Sequence, residues 1–335
     1  MTTTDDFKKA IDLINKSNNW LVTSHTRPDG DGMGSIKSFC DIAGQLGKKA
    51  RPLLLSPPAK WYQSIFDTPV SVLGNDIKLQ ELQNGSFGRF DLVVILDTNS
   101  YVQLTEFDKW LKTSKIPVLV IDHHLTGDGL GTVEIIDSTA AATGEIVFDL
   151  LKYAGWKITP ATAEALFIAI STDTGWFRFD NTDSRVLNNA AELVGLGVKV
   201  SEVYHKIFQN YSPARLKLLG RMLENIELHC NNKIVLQFIM RADFDAAGAI
   251  GSDTEDFVNE CQRINTVEAA ALFVELKDGG FRCSLRSNGS VDVRQIAQKF
   301  GGGGHKVASG VNLEGPLHAA KKMILDELEK AMNGV

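Results

Sequence analysis

Apolar runs with abrupt polar ends set the rhythm of the first half of the chain. Leu92 to Leu96 and Val118 to Ile121 are continuous apolar runs, the pattern of strands covered on both faces. Shorter runs occur at Trp20 to Val22 and Pro52 to Leu55, and helix-like stretches alternate with them, one amphipathic from Thr4 and one from Met33 to Leu46. That alternation predicts a parallel sheet flanked by helices. From Thr143 to Gly155 and from Pro160 to Ser171 the apolar spacing is helical, and the second stretch runs into a polar turn at Thr172, Asp173, Thr174 and Gly175. Residues 183–226 read as successive helices punctuated by Gly195, Gly197 and Pro213. Beyond them the runs Lys233 to Met240 and Ala269 to Lys277, a Gly279-Gly280 turn and Phe281 to Ser287 predict strands and a hairpin. The expected organisation is α/β: a first domain at 1–185, a helical connector at 186–226 and a smaller α+β domain at 227–335, facing the first across a cleft.

Composition narrows the function classes. With 335 residues the chain exceeds the usual size of one hydrophobic core, which favours two domains. No apolar stretch approaches the ~20 residues that span a bilayer, and the polar start, Met1 to Lys8, has no apolar secretory core; a cytoplasmic protein is expected. The four cysteines, Cys40, Cys230, Cys261 and Cys283, lack metal-knuckle spacing and read as small core residues. A net charge of −6 argues against bulk electrostatic coating of long nucleic acid, yet leaves a small anionic substrate open.

Polar residues at the ends of the apolar runs carry the candidate chemistry. His25, Asp29 and Asp31 follow the first run, with Pro28, Gly30 and Gly32 suited to a tight turn; Asp97 follows the third; Asp122, His123 and His124 close the fourth. A lone D-G-D is an ordinary turn and a lone Asp97 an ordinary helix cap. Repetition of imidazole beside carboxylate at strand ends points instead to a shared crevice holding two metal ions. Adjacent side chains of an extended segment point apart, so His123 and His124 are expected to divide their roles. Two divalent ions can acidify a shared water and clamp phosphate oxygens, so no serine or cysteine nucleophile is required. Arg178 is a candidate to neutralise a phosphate.

The C-terminal part carries a local excess of cations. Arg282, Arg286, Arg294, Lys299 and Lys306 stand against the single acid Asp292, and alternation along Phe281 to Ser287 puts Arg282, Ser284 and Arg286 on one strand face. The tract Gly301 to Gly304, followed by His305, could present successive backbone N–H groups to a phosphate.

The segments H-T-R-P-D-G-D-G-M-G-S, V-V-I-L-D-T, V-I-D-H-H and S-T-D-T-G-W-F-R-F together resemble the four motifs of the DHH phosphoesterases. S-L-R-S and D-V-R-Q-I-A-Q-K-F-G-G-G-G-H-K-V-A-S-G resemble the DHHA1 substrate domain that accompanies them. The resemblance implies two manganese ions, with Co2+ or Mg2+ as substitutes. His25 and Asp29 would bind the first, and Asp31, His123 and Asp173 the second. Asp97 would bridge them, His124 would serve the leaving group, and Asp122 would orient its neighbours. It further implies that Arg286, Ser287, Gly303, Gly304 and His305 grip substrate phosphate. The motif wording looks most like the short members acting on very short single-stranded RNA, as oligoribonucleases (nanoRNases), and on 3′-phosphoadenosine 5′-phosphate. An exoribonuclease and bisphosphate nucleotidase is therefore expected, with linear or cyclic dinucleotides as alternative substrates and an inactive nucleotide-binding regulator as the reading of another class. All implied metal ligands are intact, which ranks the regulator low. The oligomeric state, a homodimer included, is left open.

Overall fold

The computed structural model describes residues 4–125, 127–209 and 211–332. Its two compact units, Met1–Asn210 and Tyr211–Val335, each enclose cores of their own.

In the first unit α1 (Thr4–Lys16) precedes β1 (Asn19–Ser24), α2 (Gly30–Gln45), β2 (Lys49–Pro52) and the short α3 (Leu79–Gln83). Then come β3 (Leu92–Leu96), α4 (Phe107–Leu111), β4 (Val118–Asp122), β5 (Val133–Ile136), α5 (Thr143–Ala154) and α6 (Pro160–Asp173). The five strands are parallel in the order β2-β1-β3-β4-β5. Alternation within each strand divides the apolar runs between two faces. Trp20, Val22, Val94 and Ile121 pack with α1, α2, α5 and α6, whereas Leu21, Val93, Ile95 and Val120 pack with α3 and α4. Sequence order reverses between β1 and β3, so a crevice is expected at their carboxyl ends. His25 and Asp97 stand there.

Two boundaries differ from the sequence expectation in ways that matter. The glycines after Asp29 build a helix and not a turn: α2 already starts at Gly30, and Asp29 caps it by accepting from the Asp31 and Gly32 amides at 3.0 and 3.1 Å. Their smallness lets helices touch, since a Cβ on Gly34 would lie 2.3 Å from the Ala165 carbonyl oxygen of α6. Helix α6 ends at Asp173, inside the expected polar turn, with Thr174 as its C-cap. Strand β2 ends at Pro52, where the run expected to form it begins, and Leu53 and Leu54 are buried beyond it.

Helices α7 (Ser184–Gly195) and α8 (Val200–Phe208) bury Val186, Leu193, Val203 and Ile207 in the first unit's core. Helix α9 (Pro213–Glu224) buries Leu218 and Met222 in the second unit, so the stretch expected as a connector divides between them.

The second unit continues with β6 (Glu227–His229), β7 (Ile234–Ile239), α10 (Arg241–Ala247), β8 (Ala269–Glu275) and β9 (Phe281–Ser287). It ends with α11 (Val293–Lys299), β10 (Gly303–Gly304), β11 (Ala308–Leu313) and α12 (Leu317–Met332). The mixed sheet runs β10-β11-β9-β8-β7-β6, with α11 and α12 packed on one face and α9, α10 and 3-10 turns on the other. Cys261 and Cys283 are buried, but Cys230 is exposed in the β6–β7 turn and is no core residue. Among the described residues no helix is long and apolar enough to cross a membrane.

Candidate metal centre

The strands that end at the crevice deliver donors: His25 after β1, Asp97 after β3, and His123 and His124 after β4. His25 follows β1, and its Nδ1 lies 2.7 Å from the Thr26 carbonyl. A carbonyl only accepts, so Nδ1 carries the proton and Nε2 is turned to the centre, 3.2 Å from Asp97 Oδ2 and 3.9 Å from Asp29 Oδ1. His123 follows the same logic. Its Nδ1 faces the Ala140 carbonyl at 3.3 Å, while Nε2 lies 3.6 Å from Asp97 Oδ1 and 3.3 Å from Asp173 Oδ2. Metal-ligating histidines are commonly oriented by such a carbonyl partner. Asp97 itself adopts φ 61, a left-handed backbone that places its buried carboxylate where both imidazoles reach it.

Asp31 lies in the first turn of α2, fully buried. Its Oδ2 accepts from the Thr143 amide at 2.6 Å, and its Oδ1 accepts from the Gly144 amide at 2.8 Å and the Ser35 hydroxyl at 3.2 Å. The N-terminus of α5 thus holds this carboxylate in place, and the Thr143 hydroxyl donates to Asp97 Oδ1 at 3.3 Å. Neither Thr143, Gly144 nor the Ala140 carbonyl stands out in the sequence. Glu145 braces the same loop by accepting from the Ala141 amide at 3.0 Å.

The fully buried Asp122 acts on its neighbours: its Oδ1 accepts from the His123 amide at 2.9 Å and from His124 Nδ1 at 2.7 Å. The expectation that the two histidines point apart is not met. Strand β4 stops at Asp122, so strand alternation does not govern them, and their rings stand edge to face with centroids 4.6 Å apart. His124 Nδ1 lies 4.0 Å from Asp97 Oδ1.

Among the described residues three donor groups result: His25, Asp29 and Asp97; Asp31, His123 and Asp173; and Asp97, His123 and His124. Within each, the ligand atoms lie within 4.8 Å of one another. Burial, with the charges of Asp97, Asp173 and Asp29, holds the Asp31 carboxyl well above the usual carboxylate range. Burial and the charges of Asp29 and Asp97 raise Asp173 in the same way. Burial works to lower the His124 imidazole, but the Asp122 hydrogen bond and the surrounding carboxylates outweigh it and push it up to about 9. Carboxylates crowded in this way, with imidazole lone pairs aimed among them, fit divalent cations that would compensate the charge. Mixed oxygen and nitrogen donors suit a transition metal.

The other expected site residues are placed differently. Arg178 Nε donates to the Gly175 carbonyl at 2.6 Å. In the second unit the basic strand face is not open: Arg282 donates to Thr254 Oγ1 at 2.8 Å and Arg286 Nε to Asn259 Oδ1 at 3.1 Å, under the 3-10 turns. The Ser287 hydroxyl is engaged in its own turn, donating to the Val291 carbonyl at 2.6 Å and accepting from the Gly289 amide at 3.0 Å. The glycine tract is no row of outward amides. Gly301 and Gly302 donate to the Gln298 and Ala297 carbonyls at the end of α11, and Gly303 and Gly304 pair with β11 as β10. The His305 amide closes a tight turn on the Ala308 carbonyl at 2.7 Å, and His305 is exposed.

A parallel sheet with a carboxylate and imidazole centre at its switch point, followed by a mixed-sheet unit, places the chain in a known class. It belongs to the DHH family: the DHH family N-terminal domain matches residues 19–170 and the DHHA1 domain residues 231–334. It is a metal-dependent hydrolase. The chain is 30% identical over 317 residues to the bifunctional oligoribonuclease and PAP phosphatase NrnA of Thermus thermophilus, covering 93% of this chain and 89% of that one. In fold it matches an exopolyphosphatase-related protein from Bacteroides fragilis with a TM-score of 0.93 at 24% identity, over 99% of this chain and 98% of that one. RecJ from Thermus thermophilus, solved in complex with Mn2+, matches with a TM-score of 0.53 at 12% identity, over 96% of this chain and 53% of that one.

Proposed function

We propose that the protein hydrolyses short oligoribonucleotides to nucleoside 5′-monophosphates and 3′-phosphoadenosine 5′-phosphate to AMP, using two manganese ions. The observation that carries this reading is the pair of imidazoles, His25 and His123, whose Nδ1 atoms are tied to backbone carbonyls so that both Nε2 atoms face Asp97. His25, Asp29 and Asp97 would hold one ion, and Asp31, Asp97, His123 and Asp173 the other. The substrate choice is supported by the Thermus relative, whose name carries both activities. When bound, two divalent cations acidify water and neutralise phosphate charge.

The chain's own groups perform the remaining work. Asp97 would serve both ions, and the Thr143 hydroxyl donates to its carboxylate. His124, whose imidazole Asp122 and the carboxylates around it push up to about 9, would donate a proton to the departing oxygen. Arg178 is assigned to a substrate phosphate near Asp173, and Arg286 and the exposed His305 to the substrate's terminal phosphate.

Turnover of a 5′-labelled RNA ladder running upward from the dinucleotide, beside 3′-phosphoadenosine 5′-phosphate, tests the reading. Manganese-dependent cleavage of the shortest RNAs and release of AMP, both absent in Asp97→Ala, are expected. Silence on both, with hydrolysis of cyclic dinucleotides, would replace it. Arg286→Ala and His305→Ala should raise KM more than they lower kcat; equal loss of metal in both would overturn their assignment.

A further inference from the structure

We propose that Phe179 is a shelf for a substrate nucleobase beside the metal centre, a proposal that rests on the nucleotide reading above and names the group that positions the base. After Asp173 closes α6, Gly175, Trp176 and Phe177 take three successive left-handed conformations at φ 56, 60 and 62. Such a backbone is penalised for L residues outside glycine, and it persists only where the surroundings over-determine it. Here the surroundings are aromatic. The Trp176 ring meets Phe167, Tyr204 and Phe208 at centroid distances of 5.8, 5.1 and 5.3 Å, and Phe177 meets Phe167 at 5.7 Å.

The far side of the loop is anchored to the metal centre. Asn181 Nδ2 donates to the Asp173 carbonyl at 3.2 Å and to the Ala141 carbonyl at 3.3 Å. Arg178 and Phe179 are therefore fixed between an aromatic lock and the backbone of a metal-ligand candidate. Trp176 and Phe177 pack inward, yet Phe179 remains 52% exposed. Its ring is seated on one side: a Cβ on Gly175 would lie 2.4 to 2.6 Å from the ring's far end. Arg178 Cζ stands 6.0 Å from the ring centroid.

A half-exposed aromatic, held by a strained loop next to a phosphate-handling centre and accompanied by a guanidinium, matches what a nucleotide presents. The π-face of the base stacks on the ring, and the cation lies near the phosphate. Stacking of this kind tolerates every base, which suits an enzyme that consumes mixed-sequence fragments.

The test compares kcat/KM on 3′-phosphoadenosine 5′-phosphate with that on the corresponding base-less ribose bisphosphate. Phe179→Ala and Phe179→Leu, the latter keeping apolar bulk without a π-face, should each reduce the preference for the base-bearing substrate about tenfold. Phe179→Trp should restore it. Preference unchanged in both Ala and Leu variants overturns the shelf, and so does an equal loss on both substrates, which assigns the ring a structural role. A wild-type enzyme silent on 3′-phosphoadenosine 5′-phosphate and on short RNA alike removes the nucleotide reading itself, a result distinct from these.

Discussion

At the scale of single residues the centre depends on groups that bind no metal as much as on those that would. Asp122 accepts from both the His123 amide and the His124 ring, so its removal frees the His124 imidazole and loosens the backbone that carries His123. Asp122→Ala is expected to lower Mn2+ affinity or turnover roughly 10- to 100-fold, read by calorimetric titration and steady-state kinetics. Asp97→Asn, which changes the carboxylate shared by two donor groups, should leave no measurable turnover while the chain stays folded. An Asp122→Ala protein with wild-type affinity and rate would refute the orienting role. Thr143→Val deletes the hydroxyl donated to Asp97 but keeps the amide donated to Asp31, so a smaller loss than that of Asp122→Ala is expected. His25, Asp29, Asp31, Asp97, His123 and Asp173 were legible in the sequence because carboxylates and imidazoles at the ends of apolar runs are conspicuous. The Thr143 and Gly144 amides and the Ala140 carbonyl were not, because every residue carries the same backbone groups and only the fold decides where they point.

At the scale of elements, the centre is assembled by the contact of α2 with α6, which brings Asp31 and Asp173 to one side of His123. Small residues set that contact. A Cβ on Gly34 would meet the Ala165 carbonyl oxygen at 2.3 Å, and backbone cannot swing aside as a side chain can. Gly34→Ala is expected to destabilise the first unit by about 1–3 kcal/mol, despite the higher helix propensity of alanine, and to weaken metal binding as the two helices part. A denaturant series showing a neutral or stabilising change would mean that the helices are not limited by this contact. Periodicity alone hid part of this arrangement: Gly30 and Gly32 look like turn residues, and only packing shows them on the buried side of the helix that was expected to begin at Met33. Strand β10 escaped for a related reason, since Gly303 and Gly304 have no side chain to alternate. The continuous runs of β3 and β4 and the alternation of β9 were legible, because burial on two faces or one writes itself directly into the apolar pattern.

At the scale of the whole molecule, two units with separate cores meet a ligand that only one of them is equipped to hold. The donor groups found among the described residues all lie in the first unit. Metal should therefore raise the unfolding transition of that unit, by about 2.7 kcal/mol at a free concentration a hundred times Kd, and leave that of the second in place. The pH dependence of the metal-free protein has a definite sign. Asp31 and Asp173 are raised above the ordinary carboxylate range and His124 is raised to about 9, so all three favour folding in their protonated forms. Stability from these groups is fully present below their unfolded-state values and is lost as pH rises through the folded ones. Between about pH 5 and pH 9, the first unit of the chelator-treated protein should thus lose Tm progressively. Bound divalent cations replace the protons, so the gap between metal-loaded and metal-free Tm should widen over the same range. Differential scanning calorimetry of both forms across that range measures it. A metal-free transition that rises with pH, or a metal effect confined to the second unit, would show that the carboxylates around Asp97 are not the charge store that the cations neutralise.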